Sequence, residues 1–157
     1  MLLPNGYQIR EGSRSDRPIL LKFTYLAYQE LFPTLENFSY LSATVDTYFS
    51  SATPLWFAET TEVAETEPRS IAVCWVGNAI DPVKGDRYAQ IFLVYVDRPH
   101  RRKGIASALI DRAQNWARSR GDRQIGLMVS SNNQPALNLY NNLGFENSFQ
   151  LKIKSLS

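Results

Sequence analysis

Between residues 90 and 106 an apolar stretch gives way to Arg101-Arg102-Lys103-Gly104-Ile105-Ala106 and then to a helical pattern. A helix start leaves its first backbone N–H groups without intrahelical partners and carries partial positive charge, so an anion there meets donors already in place. Gly104 lacks a Cβ and lets an anion approach the backbone closely. Arg101, Arg102 and Lys103 add formal charge at the same point, and the first helical turn, Ile105-Ala106-Ser107-Ala108, contains no acid to compete. These residues predict a pyrophosphate cradle. The rival phosphate loops are missing: there is no G-x-x-x-x-G-K-[ST], and Gly104 has no partner glycine to complete G-x-G-x-x-G.

Other chemistries find little support. One cysteine, Cys74, lies inside an apolar strand pattern and reads as a small buried hydrophobe. With His100 as the single histidine, no His/Cys zinc site and no Ser-His-Asp arrangement is expected. A nucleic-acid reading of residues 98–103 wants a basic surface beyond one loop, and the formal net charge is only +2.

A second segment carries chemistry: Asn133-x-x-Ala136-x-x-Leu139-Tyr140-x-x-x-Gly144-Phe145. Helical spacing places Asn133, Ala136/Leu137, Tyr140 and Gly144 on one side. On that side Tyr140 could be a core side chain with its hydroxyl satisfied by a backbone carbonyl. Asn133 stands where a residue could cap the helix. Taken with Arg101-x-x-Gly104-x-Ala106 after a strand, this pair of motifs over about residues 90–145 resembles the GNAT superfamily of N-acetyltransferases.

The resemblance implies an α/β fold, a mixed central sheet with strands four and five splayed at their midpoint and helices on both faces. It implies acetyl-CoA as cofactor. The pyrophosphate would lie at Arg101, Arg102, Lys103, Gly104, Ile105 and Ala106, and the pantetheine arm in the splay, paired with the backbone of Tyr95 and Val96 and touched by Asn133. Such pairing is strand addition by a ligand with alternating amides. Acetyl transfer to an amine needs a donor at the thioester oxygen, here the strand-four amide near Val96, and an acid for the departing thiolate, here Tyr140. Many relatives carry a glutamate on strand four, whereas Tyr88-Ala-Gln-Ile-Phe-Leu-Val-Tyr-Val96 contains no carboxylate. Either ordered water relays the amine proton, or a carboxylate such as Glu30 or Glu59 enters the cleft.

The elements that must position these residues follow from patterning. At 157 residues, 44% hydrophobic and 20% charged, the chain fits a single soluble globular domain, 1–157. Its longest apolar runs are strand-sized, and the start has no basic n-region, so no membrane span or secretory signal is expected and a cytoplasmic location is. A short strand at 7–10 precedes a helix capped by Ser15 or Asp16, with Pro18 in its first turn and Pro33 at its end. A second helix is expected over 35–49, strands over 55–59 and 71–76 joined by a flexible loop at 60–70, and a turn over 78–87. Strand four at 88–96, a helix at 104–120, strand five at 124–129, a helix at 134–142 and a last strand at 149–153 complete the order. The crossover makes strands four and five parallel neighbours.

The function expected is acetyl transfer from acetyl-CoA to a primary amine of a small molecule or peptide. The alternatives are a coenzyme A sensor without turnover and an interaction domain using the basic patch. The aromatic cluster Tyr25-Leu26-Ala27-Tyr28-Gln29-Glu30-Leu31-Phe32 suggests a cationic acceptor held near Tyr28 and Glu30, or else a core face beside one surface charge. Oligomeric state is not legible.

Overall fold

A computed structural model describes residues 2–61 and 69–157. The expected loop at 60–70 therefore lies largely outside the described residues. Five strands form one sheet in the order β1-β2-β3-β4-β5, comprising β1 (Tyr7–Glu11), β2 (Leu55–Thr60), β3 (Ser70–Ile80), β4 (Arg87–Val96) and β5 (Ile125–Leu127). The first four pair antiparallel, and β4 pairs with β5 in parallel. Among the described residues four α-helices accompany them: α1 (Arg17–Leu31), α2 (Leu41–Tyr48), α3 (Ile105–Arg120) and α4 (Gln134–Asn142).

The sheet is packed on both faces, which explains why β2 and most of β3 are buried without alternation. On one face Leu20, Phe23 and Ala27 of α1 and Val45 of α2 meet Leu55, Phe57, Val73, Trp75 and Leu93. On the other, Ile105, Leu109, Ala113 and Ala117 of α3 meet Trp56, Ala58, Ala72, Cys74, Val76 and Ile91, with Leu139, Tyr140 and Phe145 packed beside them. In α1 the buried positions Leu20, Phe23, Thr24 and Ala27 repeat at helical spacing. Its Pro18 sits in the first turn, where no N–H is missed.

Four expectations are corrected. Helix α2 begins at Leu41, not at residue 35, because Asn37 Oδ1 accepts the Ser39 N–H at 2.9 Å and turns the backbone. Strand β3 runs on to Ile80, narrowing the turn, since its pairing with β4 continues to Ile80 opposite Arg87. Strand β5 spans only three residues. No strand forms at 149–153, where Phe149, Leu151 and Ile153 stand exposed. Alternation marks two faces but supplies no partner, and so short a β5 offers little ladder for a further strand.

Candidate active site

Strand β4 meets β5 only at Ala89, Gln90 and Ile91, opposite Ile125, Gly126 and Leu127. Beyond Ile91, β4 continues to Val96 with β3 on one side and, among the described residues, no strand on the other. This is the expected splay. Asp97 N–H donates to Ile71 O at 2.8 Å, and backbone alternation then turns the Val96 N–H and C=O toward the open side. The Val96 carbonyl accepts Arg101 Nε at 2.8 Å; its N–H faces the cleft.

After β4 the chain makes a 3-10 turn, Arg98–His100, and reaches Gly104 as the N-cap of α3. Gly104 adopts φ 80, a left-handed conformation suited to glycine, and a Cβ built there meets nothing within 4 Å. No side chain caps α3 and no acid lies in its first turn. The early N–H groups of α3 therefore face open space under partial positive charge. Arg102 and Lys103 are exposed beside them, with no carboxylate partner among the described residues. The loop is anchored on its far side by Tyr7, whose hydroxyl lies 2.7 Å from His100 Nδ1 and 3.3 Å from Lys103 Nζ.

Helix α4 starts at the cap predicted for it: Asn133 Oδ1 accepts the Ala136 N–H at a long 3.4 Å. Tyr140 packs edge-on against Phe145, ring centres 5.8 Å apart, beside the α3 core. Its hydroxyl has no hydrogen-bond partner among the described residues. Burial pushes the phenol above its ordinary value, with the neighbouring Cys74 adding to the shift. Cys74 itself is fully buried and raised to about 12 by loss of water, so it stays a thiol.

The structure brings together two residues that sequence reasoning kept apart. Arg101 Nη1 and Nη2 donate to Glu30 Oε1 and Oε2 at 2.6 and 2.7 Å. The Arg101 guanidinium, expected to add charge at the cradle, is directed to Glu30 at the end of α1. Glu30 is thereby matched, and the hydrogen bonds from Arg101 hold its carboxyl below the usual range. Glu59, the other suggested base, is buried and accepts Arg10 Nε at 2.7 Å. Tyr28 is half-buried against Phe32 at 5.9 Å, and burial raises its phenol, with Tyr40 contributing. Among the described residues no cluster of ligating side chains could hold a metal ion. Among the described residues no helix is long and apolar enough to cross a membrane.

The residues present suit acetyl-CoA: an uncapped helix start in open space for phosphates, and a strand edge without a neighbour for an amide-bearing arm. Comparison with known proteins points the same way. The chain is 30% identical over 114 residues to N-acetyltransferase 8 of Homo sapiens, covering 71% of this chain and 50% of that protein. It is 46% identical over 57 residues to streptothricin acetyltransferase of Escherichia coli, covering 36% of this chain and 33% of that one. The chain thus spans about half the length of the human relative or less of the bacterial one. A crystal structure described as a predicted acetyltransferase with acetyl-CoA, from Clostridium acetobutylicum, superposes with a TM-score of 0.75 at 20% identity, covering 96% of each chain. The sequence model of the acetyltransferase (GNAT) family matches residues 23–145, and the chain belongs to that family.

Proposed function

We propose that this protein transfers the acetyl group of acetyl-CoA directly to a primary amine of a small molecule or peptide. The observation that carries the reading is the uncapped start of α3 beside the unpaired end of β4. One supplies donors for a pyrophosphate, and the other takes an amide-bearing arm as an added strand. Acetyl-CoA, when bound, supplies an activated thioester.

The chain's own residues do the rest. Backbone N–H groups of Gly104, Ile105 and Ala106 hold the phosphates, with Arg102 and Lys103 adding charge. The backbone of Tyr95 and Val96 aligns the arm, Asn133 touches it from the start of α4, and the Val96 N–H donates to the thioester oxygen. As the amine nitrogen bonds to the acetyl carbon and the carbon–sulfur bond breaks, Tyr140 gives its proton to the sulfur and regains one from solvent. The amine proton leaves to water. Both candidate carboxylate bases, Glu30 and Glu59, are already matched by arginines, which favours water relayed along backbone carbonyls.

The same matching gives the runner-up its observation, since a coenzyme A sensor without turnover needs no base. Release of free thiol from acetyl-CoA, followed over a panel of small amines and peptides, separates them. Amine-dependent release with an acetylated product is expected. Tight calorimetric binding of coenzyme A with no release for any amine would overturn the enzyme reading and leave the sensor.

A further inference from the structure

Each of the three nitrogens of the Arg101 guanidinium has an acceptor within the protein. Its two terminal nitrogens fork onto Glu30 at 2.6 and 2.7 Å, and Nε reaches Val96 O at 2.8 Å. Its Cζ lies 5.4 Å from the centre of the Tyr95 ring. Arg98 Nη2 approaches the same carboxylate at 3.8 Å. Three elements meet here: the last turn of α1, the end of β4 and the loop entering α3.

Forked arginine–carboxylate pairs are geometrically specific as well as strong, because two parallel N–H···O bonds fix orientation. If Arg101 swung to a phosphate, the Glu30 carboxylate would lose its fork and keep only the longer approach of Arg98 at 3.8 Å. That loss favours a closed pair when the loop is loaded, with phosphate recognition left to the backbone amides.

Building on the acetyl-CoA reading above, we propose that Glu30 and Arg101 form a strut between α1 and β4 that sets the cofactor loop. Glu30 is then a positioning residue for cofactor binding and no contact of the amine acceptor. Arg101 supplies placement, not phosphate charge. The strut explains how a residue 71 positions away in sequence governs the cradle.

Coenzyme A binding by calorimetry and the Michaelis constants for both substrates test this in wild type, Glu30→Gln, Arg101→Lys, Arg101→Ala and the double variant Glu30→Gln/Arg101→Ala. Glu30→Gln is close to isosteric, and the Glu30 side chain is 29% exposed, so the variant should fold. It is expected to weaken coenzyme A binding roughly 3–10-fold, equal to about 0.7–1.4 kcal/mol, and to raise the Michaelis constant for acetyl-CoA alone. Arg101→Lys keeps the charge but loses the fork and should weaken binding similarly. The double variant should match Arg101→Ala, since one strut cannot be broken twice. Asp46→Asn breaks the Arg17–Asp46 pair between α1 and α2 and should leave binding unchanged, which separates the strut from general softening of α1.

Wild-type affinity in Glu30→Gln, or in Arg101→Lys, overturns the strut while the cofactor reading stands. A raised constant for the amine alone would assign Glu30 to the acceptor. Failure of wild type to bind coenzyme A at all removes the reading on which the strut rests.

Discussion

At the scale of single residues, the proton donor is the sharpest case. Tyr140 sits where its ring packs on Phe145 while its hydroxyl stays without a partner among the described residues. Burial keeps that phenol protonated well past neutral pH, as a donor to a leaving thiolate must be. The ordinary phenol pKa of about 10 already lies above a thiol's at about 8.5, so the transfer is uphill and its benefit comes from position. General acid catalysis is worth ~10²–10⁴ in rate. Tyr140→Phe should therefore lower kcat by about that factor with coenzyme A affinity little changed, because the ring still packs. Turnover equal to wild type, measured where the chemical step limits the rate, would assign the proton to water. Asn133 shows the complementary limit: its cap on Ala136 N–H is long, which leaves its side chain able to serve a ligand as well.

At the scale of elements, junctions carry the stability that positions the site. Where α3 ends, Arg120 donates to Asp122 through Nε at 2.9 Å and Nη2 at 2.6 Å, and through Nη1 to Asn78 Oδ1 at 2.6 Å. The Asp122 side chain is only 2% exposed. Asp122→Ala strips Arg120 of its fork and should cost about 1.5–3 kcal/mol, a fall in Tm of roughly 2–4 °C per kcal/mol for a chain of this size. Arg120 holds the Asp122 carboxyl below its usual value, so this stabilisation is complete above the unfolded pKa of about 3.9 and is lost as pH falls through the lower folded one. The Tm gap between wild type and Asp122→Ala should thus stay constant from pH 7 to about pH 5 and close in stronger acid; a constant gap into acid would refute the pair's role. Elements with local punctuation were legible in the sequence. Asn133, Pro135 and Gly144 bracket α4, and Pro18 and Pro33 bracket α1. The cradle was legible for the same reason, as a strand, a glycine and a helix start in one short run. The late start of α2 was not, because a single Asn37 side-chain contact overrides an apolar repeat. Nor was the Glu30–Arg101 fork, since no local pattern signals a pairing across 71 positions.

At the scale of the whole molecule, the sheet with helices on both faces does one thing for function: it holds the start of α3 open beside the end of β4. A ligand bound there must stabilise the entire fold by mass action, by about 2.7 kcal/mol at one hundred times its dissociation constant. For a chain of this length that amounts to roughly 5–10 °C in Tm. Two glycines allow the cradle to be tested apart from folding. Gly104 at φ 80 and Gly121 at φ 90 both lie in the left-handed region, and a Cβ at either meets nothing within 4 Å. Any side chain at either position should therefore cost about 1–2 kcal/mol through backbone strain alone. Gly121 closes α3 at the opposite end from the cradle. Gly121→Ala should then lower the Tm of the free protein yet keep the full upward shift with coenzyme A. Gly104→Glu should lower the free Tm by a similar amount and lose the shift, because its carboxylate occupies the place of the phosphate. Gly104→Ala, with the strain but no charge, should fall between them. Scanning calorimetry of the three variants, with and without coenzyme A, reads all of this directly. A full shift retained in Gly104→Glu would show that the phosphates lie elsewhere and would dissolve the cradle assignment.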